Sequence, residues 1–205
     1  MLLLAAQGTA QESNSDEIMS DPTLLRETFL PDNLKRFAGN EIFLPLSRDS
    51  AVPPVDYIRS SVELLEIDSA SRVFIIGRAV GFAAAYISRS ADLVYTVELD
   101  PLQESLNLEI WKTLGLENIV PVRYPQFILQ PDFQQFDAVL VHGIVRNIPP
   151  ELANSLGQGG ILLAPLSDSS EFQLTVKIER TDEGLMIESG TASFFPGSPL
   201  DLEMR

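Results

Sequence analysis

The feature that most constrains this chain is the run VFIIGRAVGFAAAYISRSADLVYTVELD at residues 73 to 100. A β-branched strand, a glycine turn, an apolar helical segment and a second strand follow one another without a break, which is the pattern of a parallel βαβ unit. The second strand closes on Glu98, and Gly77 stands twenty-one positions before it. That is the spacing at which a nucleotide-binding βαβ unit sets its first turn against the acid that holds a ribose. The turn itself departs from the dinucleotide fingerprint. Ala79 stands where a backbone would approach a ligand closely, and Phe82 stands where a third glycine is wanted.

The same alternation continues downstream. Asp100-Pro101 is an N-cap followed by proline at the first helical position, and Gly115 sits where that helix should stop. NIVPVRY and FDAVLVHG read as third and fourth strands, and a short helix is expected from Pro149 to Leu156. Gly157, Gly159 and Gly160 are expected to break that helix before a fifth strand, ILLAPL. QLTVKIER and LMIESG flank the turn TDEG and predict an antiparallel hairpin. Right-handed crossovers between the first strands predict a mostly parallel, Rossmann-like sheet with that hairpin at one edge. A terminal hairpin, together with the absent third glycine, disfavours a nicotinamide-dependent oxidoreductase.

Upstream, Leu24, Leu25, Phe29, Leu34 and Phe37 recur at helical intervals interrupted by Pro31, which predicts two short helices. FLPLSRDSAVPPV reads as a proline-marked connection, and Val55 to Ile67 as a helix leading into the sheet. The organisation expected is a leader over 1–21 and a single α/β domain over 22–205. Within that domain, 22–67 is a helical cover and 73–205 the α/β core. MLLLAAQGTAQES has a short apolar run, with Gly8 and Ala10 at the spacing of a signal-peptidase site. It resembles the back end of a secretory signal without its basic start and points to export to the periplasm, a frayed cytoplasmic N-terminus being the alternative. The remaining polar stretch to Asp21 reads as disordered.

Composition narrows the chemistry. A net charge of −15 over 205 residues opposes a nucleic-acid partner, because a phosphate backbone is repelled over most of such a surface. No apolar run approaches the roughly eighteen residues of a membrane span. With no cysteine and one histidine, His142, thiolate and His-rich metal sites are excluded, and no calcium-loop spacing appears, so no metal is expected. His142 ends the fourth strand, where ligands of open α/β sheets lie, and is a candidate substrate contact. A satisfied structural histidine is the other reading. Asp137 reads as a strand-opening surface acid, and Trp111, Phe194 and Phe195 as core.

VFIIGRAVGF, TVELD, LGLENIV, FDAVLVHG, IPPELANSLGQGGILLAPL and ASFFPGSPL resemble, in order and spacing, the protein-L-isoaspartate (D-aspartate) O-methyltransferases, over roughly residues 55 to 199. The most specific stretch runs from Phe136 to Leu166. The resemblance implies an S-adenosylmethionine cofactor at the carboxyl ends of the first strands. It also implies methyl transfer to the carboxylate of an isoaspartyl residue in a damaged protein or peptide, chemistry that depends chiefly on positioning. On that resemblance, Gly77, Arg78, Ala79, Gly81, Glu98 and Tyr124 fall at cofactor-binding positions, and Val52, Pro53 and Pro54 at substrate positions.

The sequence departs from the family in four places. The acid before the glycine turn is Ile75, the central glycine is Ala79, and the acidic adenine loop aligns with Arg123, Tyr124 and Pro125. The substrate-side S-x-P falls on Val52, Pro53 and Pro54, with Ser50 out of step. A ligand donor left unpaired in a closed site costs about 1–3 kcal/mol. Coordinated losses therefore predict weak cofactor binding and lost or altered catalysis unless Arg78 compensates, an active methyltransferase being the alternative.

Overall fold

The computed structural model describes residues 17–130, 135–167, 173–192 and 195–202. The segment resembling a signal remnant, residues 1–16, and Phe194 lie outside them. Residues 17–20, read as part of a disordered stretch, are instead helical, and Ile18 and Met19 pack against the core. Asp21 caps helix α1 (Pro22–Glu27) through its carboxylate, and α2 (Asp32–Lys35) follows Pro31, which gives the two expected short helices.

The connection read as irregular contains a small antiparallel pair, β1 (Leu44–Pro45) and β2 (Ala51–Val52). It is held by Arg26, which is fully buried and donates to the carbonyls of Ala38, Asn40, Ile42 and Val52. Burial lowers the Arg26 pKa to about 10, against an opposing pull from Glu41. One guanidinium thus ties three carbonyls of the preceding loop to the Val52 carbonyl of β2. Helix α3 (Val55–Leu64) then leads into the sheet.

Seven strands form that sheet in the order β5-β4-β3-β6-β7-β8-β9. They are β3 (Arg72–Gly77), β4 (Leu93–Glu98), β5 (Ile119–Pro121), β6 (Phe136–His142), β7 (Leu156–Leu166), β8 (Leu174–Thr181) and β9 (Gly184–Ala192). The first five pair in parallel, and β7–β8–β9 are antiparallel, with β9 at the edge. The crossovers are α4 (Val80–Ile87), α5 (Pro101–Thr113) and the short α6 (Pro150–Asn154).

β3 is buried on both faces, which explains its unbroken apolar sequence. Val73 and Ile75 join the cluster under the helices, while Phe74 and Ile76 join the opposite cluster with Val97, Val141, Leu200 and Leu202. Phe74 stacks on Phe136 at 5.0 Å. Asp137 accepts from the Arg72 amide at 2.8 Å, so this strand-opening acid caps the neighbouring strand.

Two expectations need correction. The third strand is only Ile119–Pro121, because Pro121 has no N–H for the ladder and the chain turns away soon after Val122. Gly157, Gly159 and Gly160 do not separate a helix from the fifth strand. They lie inside β7 at a register shift against β6, and a Cβ on Gly160 would stand 2.6 Å from the Phe136 carbonyl oxygen.

Candidate functional site

The parallel register places Glu98, Gly77 and His142 side by side at the carboxyl ends of β4, β3 and β6. The sequence spacing between Gly77 and Glu98 is therefore a true spatial adjacency. Gly77 is required by its neighbour, since a Cβ there would lie 2.0 Å from the His142 carbonyl oxygen. Gly81 is required by packing too, because a Cβ would meet the Asn107 side-chain oxygen at 2.1 Å and the Phe29 ring at 2.8 Å. Both glycines serve strand and helix packing.

Glu98 does not face an open turn. Its carboxylate accepts from the Ala79 and Val80 amides at 3.2 and 2.9 Å, from the Asp100 amide at 3.2 Å and from the Asn107 side-chain amide at 3.4 Å. The first two bonds cap α4, whose own N-cap residue, Ala79, has no oxygen to offer. Burial pushes the Glu98 pKa up to about 7, against the amides of Val80, Asp100 and Ala79, which favour the charged form. Ala79 itself is buried in the left-handed region, at φ 54° and ψ 40°, a conformation a glycine adopts without strain.

Arg78 and Tyr124 are turned toward another part of the chain. An Arg78 guanidinium nitrogen bonds the Ser198 carbonyl at 3.3 Å, and the Tyr124 hydroxyl donates to the Leu202 carbonyl at 3.0 Å. Burial raises the Tyr124 phenol to about 12, which keeps it a donor. Arg123 is exposed, and Ile75, where the family carries an acid, is wholly in the core.

His142 is fully buried. Its Nδ1 donates to the Arg78 carbonyl at 2.7 Å, since a carbonyl only accepts, so the Nε2 lone pair is the orphan. Desolvation lowers its pKa to about 4 and keeps the ring neutral. Phe195 closes edge-on against it at 5.0 Å, and Phe43 and Tyr57 extend the cluster. Val52, Pro53 and Pro54 are buried too. As placed, the expected substrate residues are packed into the core. Ser50 is likewise buried, with its hydroxyl on that of Ser47 at 2.9 Å.

Asn107 and Asp49 were missed by sequence reasoning. Asn107 is a polar residue on the buried side of α5, a signal that could have paired it with Glu98. Asp49 accepts from the Ser198 amide and hydroxyl at 3.2 and 2.6 Å, a contact across 149 positions that no local pattern announces. Among the described residues no cluster of His, Cys, Asp and Glu could hold a metal ion, and no helix is long and apolar enough to cross a membrane.

A parallel sheet with an antiparallel end and a turn-plus-acid row at its carboxyl edge defines the methyltransferase variety of Rossmann-like fold. The chain belongs to the protein-L-isoaspartate(D-aspartate) O-methyltransferase family, whose model matches residues 2–195. It is 29% identical over 159 residues to protein-L-isoaspartate O-methyltransferase 2 of Anaeromyxobacter sp. (strain Fw109-5), covering 78% of this chain and 65% of that relative. To the enzyme of Ignicoccus hospitalis it is 26% identical over 188 residues, covering 90% of this chain and 88% of the relative. A solved protein-L-isoaspartate O-methyltransferase superposes with a TM-score of 0.75 at 22% identity, over 93% of this chain and 67% of that one. A Plasmodium falciparum structure described as a protein-L-isoaspartate O-methyltransferase in complex with S-adenosyl-L-homocysteine gives 0.67 at 15% identity, over 94% and 98% of the two chains.

Proposed function

We propose that this chain is a protein-L-isoaspartate O-methyltransferase-like protein of the S-adenosylmethionine-dependent lineage whose catalysis is lost or altered. The observation that carries the reading is the self-engagement of Glu98. The acid at the family's ribose position spends its oxygens on the Ala79 and Val80 amides, the same turn that should approach a cofactor. S-adenosylmethionine is the family's cofactor, and as arranged these residues would hold it weakly. The Ala79 methyl stands in the turn, Arg78 and Tyr124 are tied to the chain's own Ser198 and Leu202, and the adenine loop carries no acid.

The second reading, an active enzyme acting on isoaspartyl residues of damaged proteins or peptides, is favoured by the retained row of Glu98, Gly77 and His142 and by family membership. Radiolabel transfer from S-adenosylmethionine to an isoaspartyl peptide separates the two. The loss of catalysis predicts no incorporation above the no-enzyme control, and sustained turnover by the wild type overturns it. Export to the periplasm is part of the proposal, supported by the apolar start with Gly8 and Ala10, and a fusion to a reporter active only after export tests it.

A further inference from the structure

The segment that engages Arg78 and Tyr124 is continuous. It begins at Phe195, whose amide donates to the Gln173 side-chain oxygen at 2.6 Å while its carbonyl accepts from the Gln173 amide group at 3.0 Å. Gly197, at φ 106°, lies so close over Asp49 that a Cβ would stand 2.8 Å from the Asp49 carbonyl oxygen. Ser198 is held by Asp49 below and Arg78 beside it. Leu200 donates its amide to the Ile144 carbonyl at 2.7 Å, bridges Val145 and rests on Gly143, where a Cβ would be 2.7 Å from a Leu200 methyl. Leu202 then accepts from Tyr124.

The path therefore runs from the end of β3 (Arg78) past the end of β6 (Ile144) to the loop after β5 (Tyr124). These are the carboxyl ends around which ligands of open α/β sheets bind. Its two ends are buried and apolar, while Gly197, Ser198 and Pro199 are exposed. A cleft of about 370 Å³, lined by Arg146, Asn147 and residues 198–202, lies along it. That is the size of a small-molecule pocket.

We propose that residues 195–202 are a latch that competes with a nucleoside ligand for the crevice at the carboxyl ends of β3, β4 and β6. The inference rests on the reading of that crevice as the family's cofactor site. Its contacts fall into two sets that suit a reversible closure. Leu200 and Leu202 are buried in the cluster with Val97 and Val141, and the polar ties at Asp49, Arg78 and Tyr124 lie at or near the surface. Polar ties near the surface exchange readily with water, so the closed arrangement is held chiefly by the buried side chains of Phe195, Leu200 and Leu202. A ligand that fills the apolar space they vacate competes on equal terms. Closed, the latch engages the Arg78 and Tyr124 side chains; open, it frees both.

The test uses the full chain and S-adenosylhomocysteine as the probe, followed calorimetrically. Leu202→Ser and Tyr124→Phe each weaken one end of the latch, the second by a single hydroxyl, so that at least one variant keeps the fold if the other does not. Because the chain has no cysteine, Asp49→Cys with Ser198→Cys places a unique thiol pair where the two side chains touch, and oxidation holds the latch shut. The latch predicts at least tenfold tighter binding to the folded Leu202→Ser variant than to wild type, a smaller gain for Tyr124→Phe, and loss of the Leu202→Ser gain when the oxidised thiol pair is combined with it. Unchanged affinity in variants with native circular dichroism and cooperative melting overturns the latch and leaves the proposed loss of catalysis standing. Methyl transfer appearing only in an unlatched variant supports the latch and makes wild-type catalysis altered, not lost. A gain in affinity without transfer supports both.

Discussion

Replacing Glu98 by glutamine removes the charge from the carboxyl edge of the sheet while keeping the side chain's shape, and its effect on stability should depend strongly on pH. Burial raises the Glu98 pKa from 4.5 to about 7. The difference of about 2.5 units, at about 1.36 kcal/mol each, is roughly 3 kcal/mol. The sign follows from proton uptake. Between pH 4.5 and 7 the folded protein holds a proton that the unfolded chain releases, so stability from this group is full below 4.5 and is lost as pH rises through 7. Glutamine does not titrate. Relative to wild type, Glu98→Gln should gain roughly 3 kcal/mol between pH 4.5 and 8. Below pH 4.5, where the wild-type group is neutral, the variant should start about 1–3 kcal/mol less stable, because the glutamine NH2 sets two donors against amides that donated to a carboxyl oxygen. His142 slopes the other way, with a pKa lowered to about 4, so its stability rises with pH from 4 to 6.5, but that trend is common to both proteins and cancels in the difference. Urea unfolding at closely spaced pH values, read as midpoint and slope, gives the comparison. Parallel profiles would mean that the carboxylate is solvated and the crevice open, refuting the self-filled site. A variant that loses ground as pH rises would mean that the amide cradle outweighs burial.

Three other perturbations follow from the same geometry. Ala79→Gly should stabilise the fold by about 1 kcal/mol by relieving the left-handed backbone, seen as a higher melting temperature with unchanged circular dichroism. Gly81→Ala should destabilise by about 1–3 kcal/mol, because the new methyl meets Asn107 and Phe29, and a melt no lower than wild type would contradict that packing. Arg26→Met should cost about 3 kcal/mol or more in denaturant unfolding, since it removes the guanidinium from the carbonyls of Ala38, Asn40, Ile42 and Val52 together.

What the sequence disclosed, and what it withheld, divides by the range of the interaction. Strands β3 and β6 were legible because burial on both faces forces long apolar runs, β4 because of its β-branched and aromatic residues, and α5 because Asp100 and Pro101 mark its start chemically. The Asp100 carboxylate does accept from the Leu102 and Gln103 amides. The hairpin of β8 and β9 was announced by TDEG between two alternating runs. By contrast, β1 and β2 are two residues each and exist through Arg26, a charged helix residue whose burial no local pattern signals. The glycines of β7 read as breakers because their need, close passage against Phe136, is set by another strand. At the site, the spacing located Glu98 beside Gly77, but a strand-end acid can turn toward a ligand or toward the helix behind it. Only the orientation of α4 and the packing of Asn107 decide that. The contacts of Ser198 with Arg78 and Asp49 span 120 and 149 positions and leave no trace in any window.

Calorimetric titration of the wild-type protein with S-adenosylhomocysteine at neutral pH asks whether this family member fills its cofactor crevice with its own side chains. Glu98 spent on the Ala79 and Val80 amides, with Arg78 and Tyr124 spent on residues 198 and 202, predicts a Kd no tighter than about 100 μM, or about −5.5 kcal/mol. Saturable binding at low-micromolar concentration would contradict it, since the site would then open or rearrange at little cost.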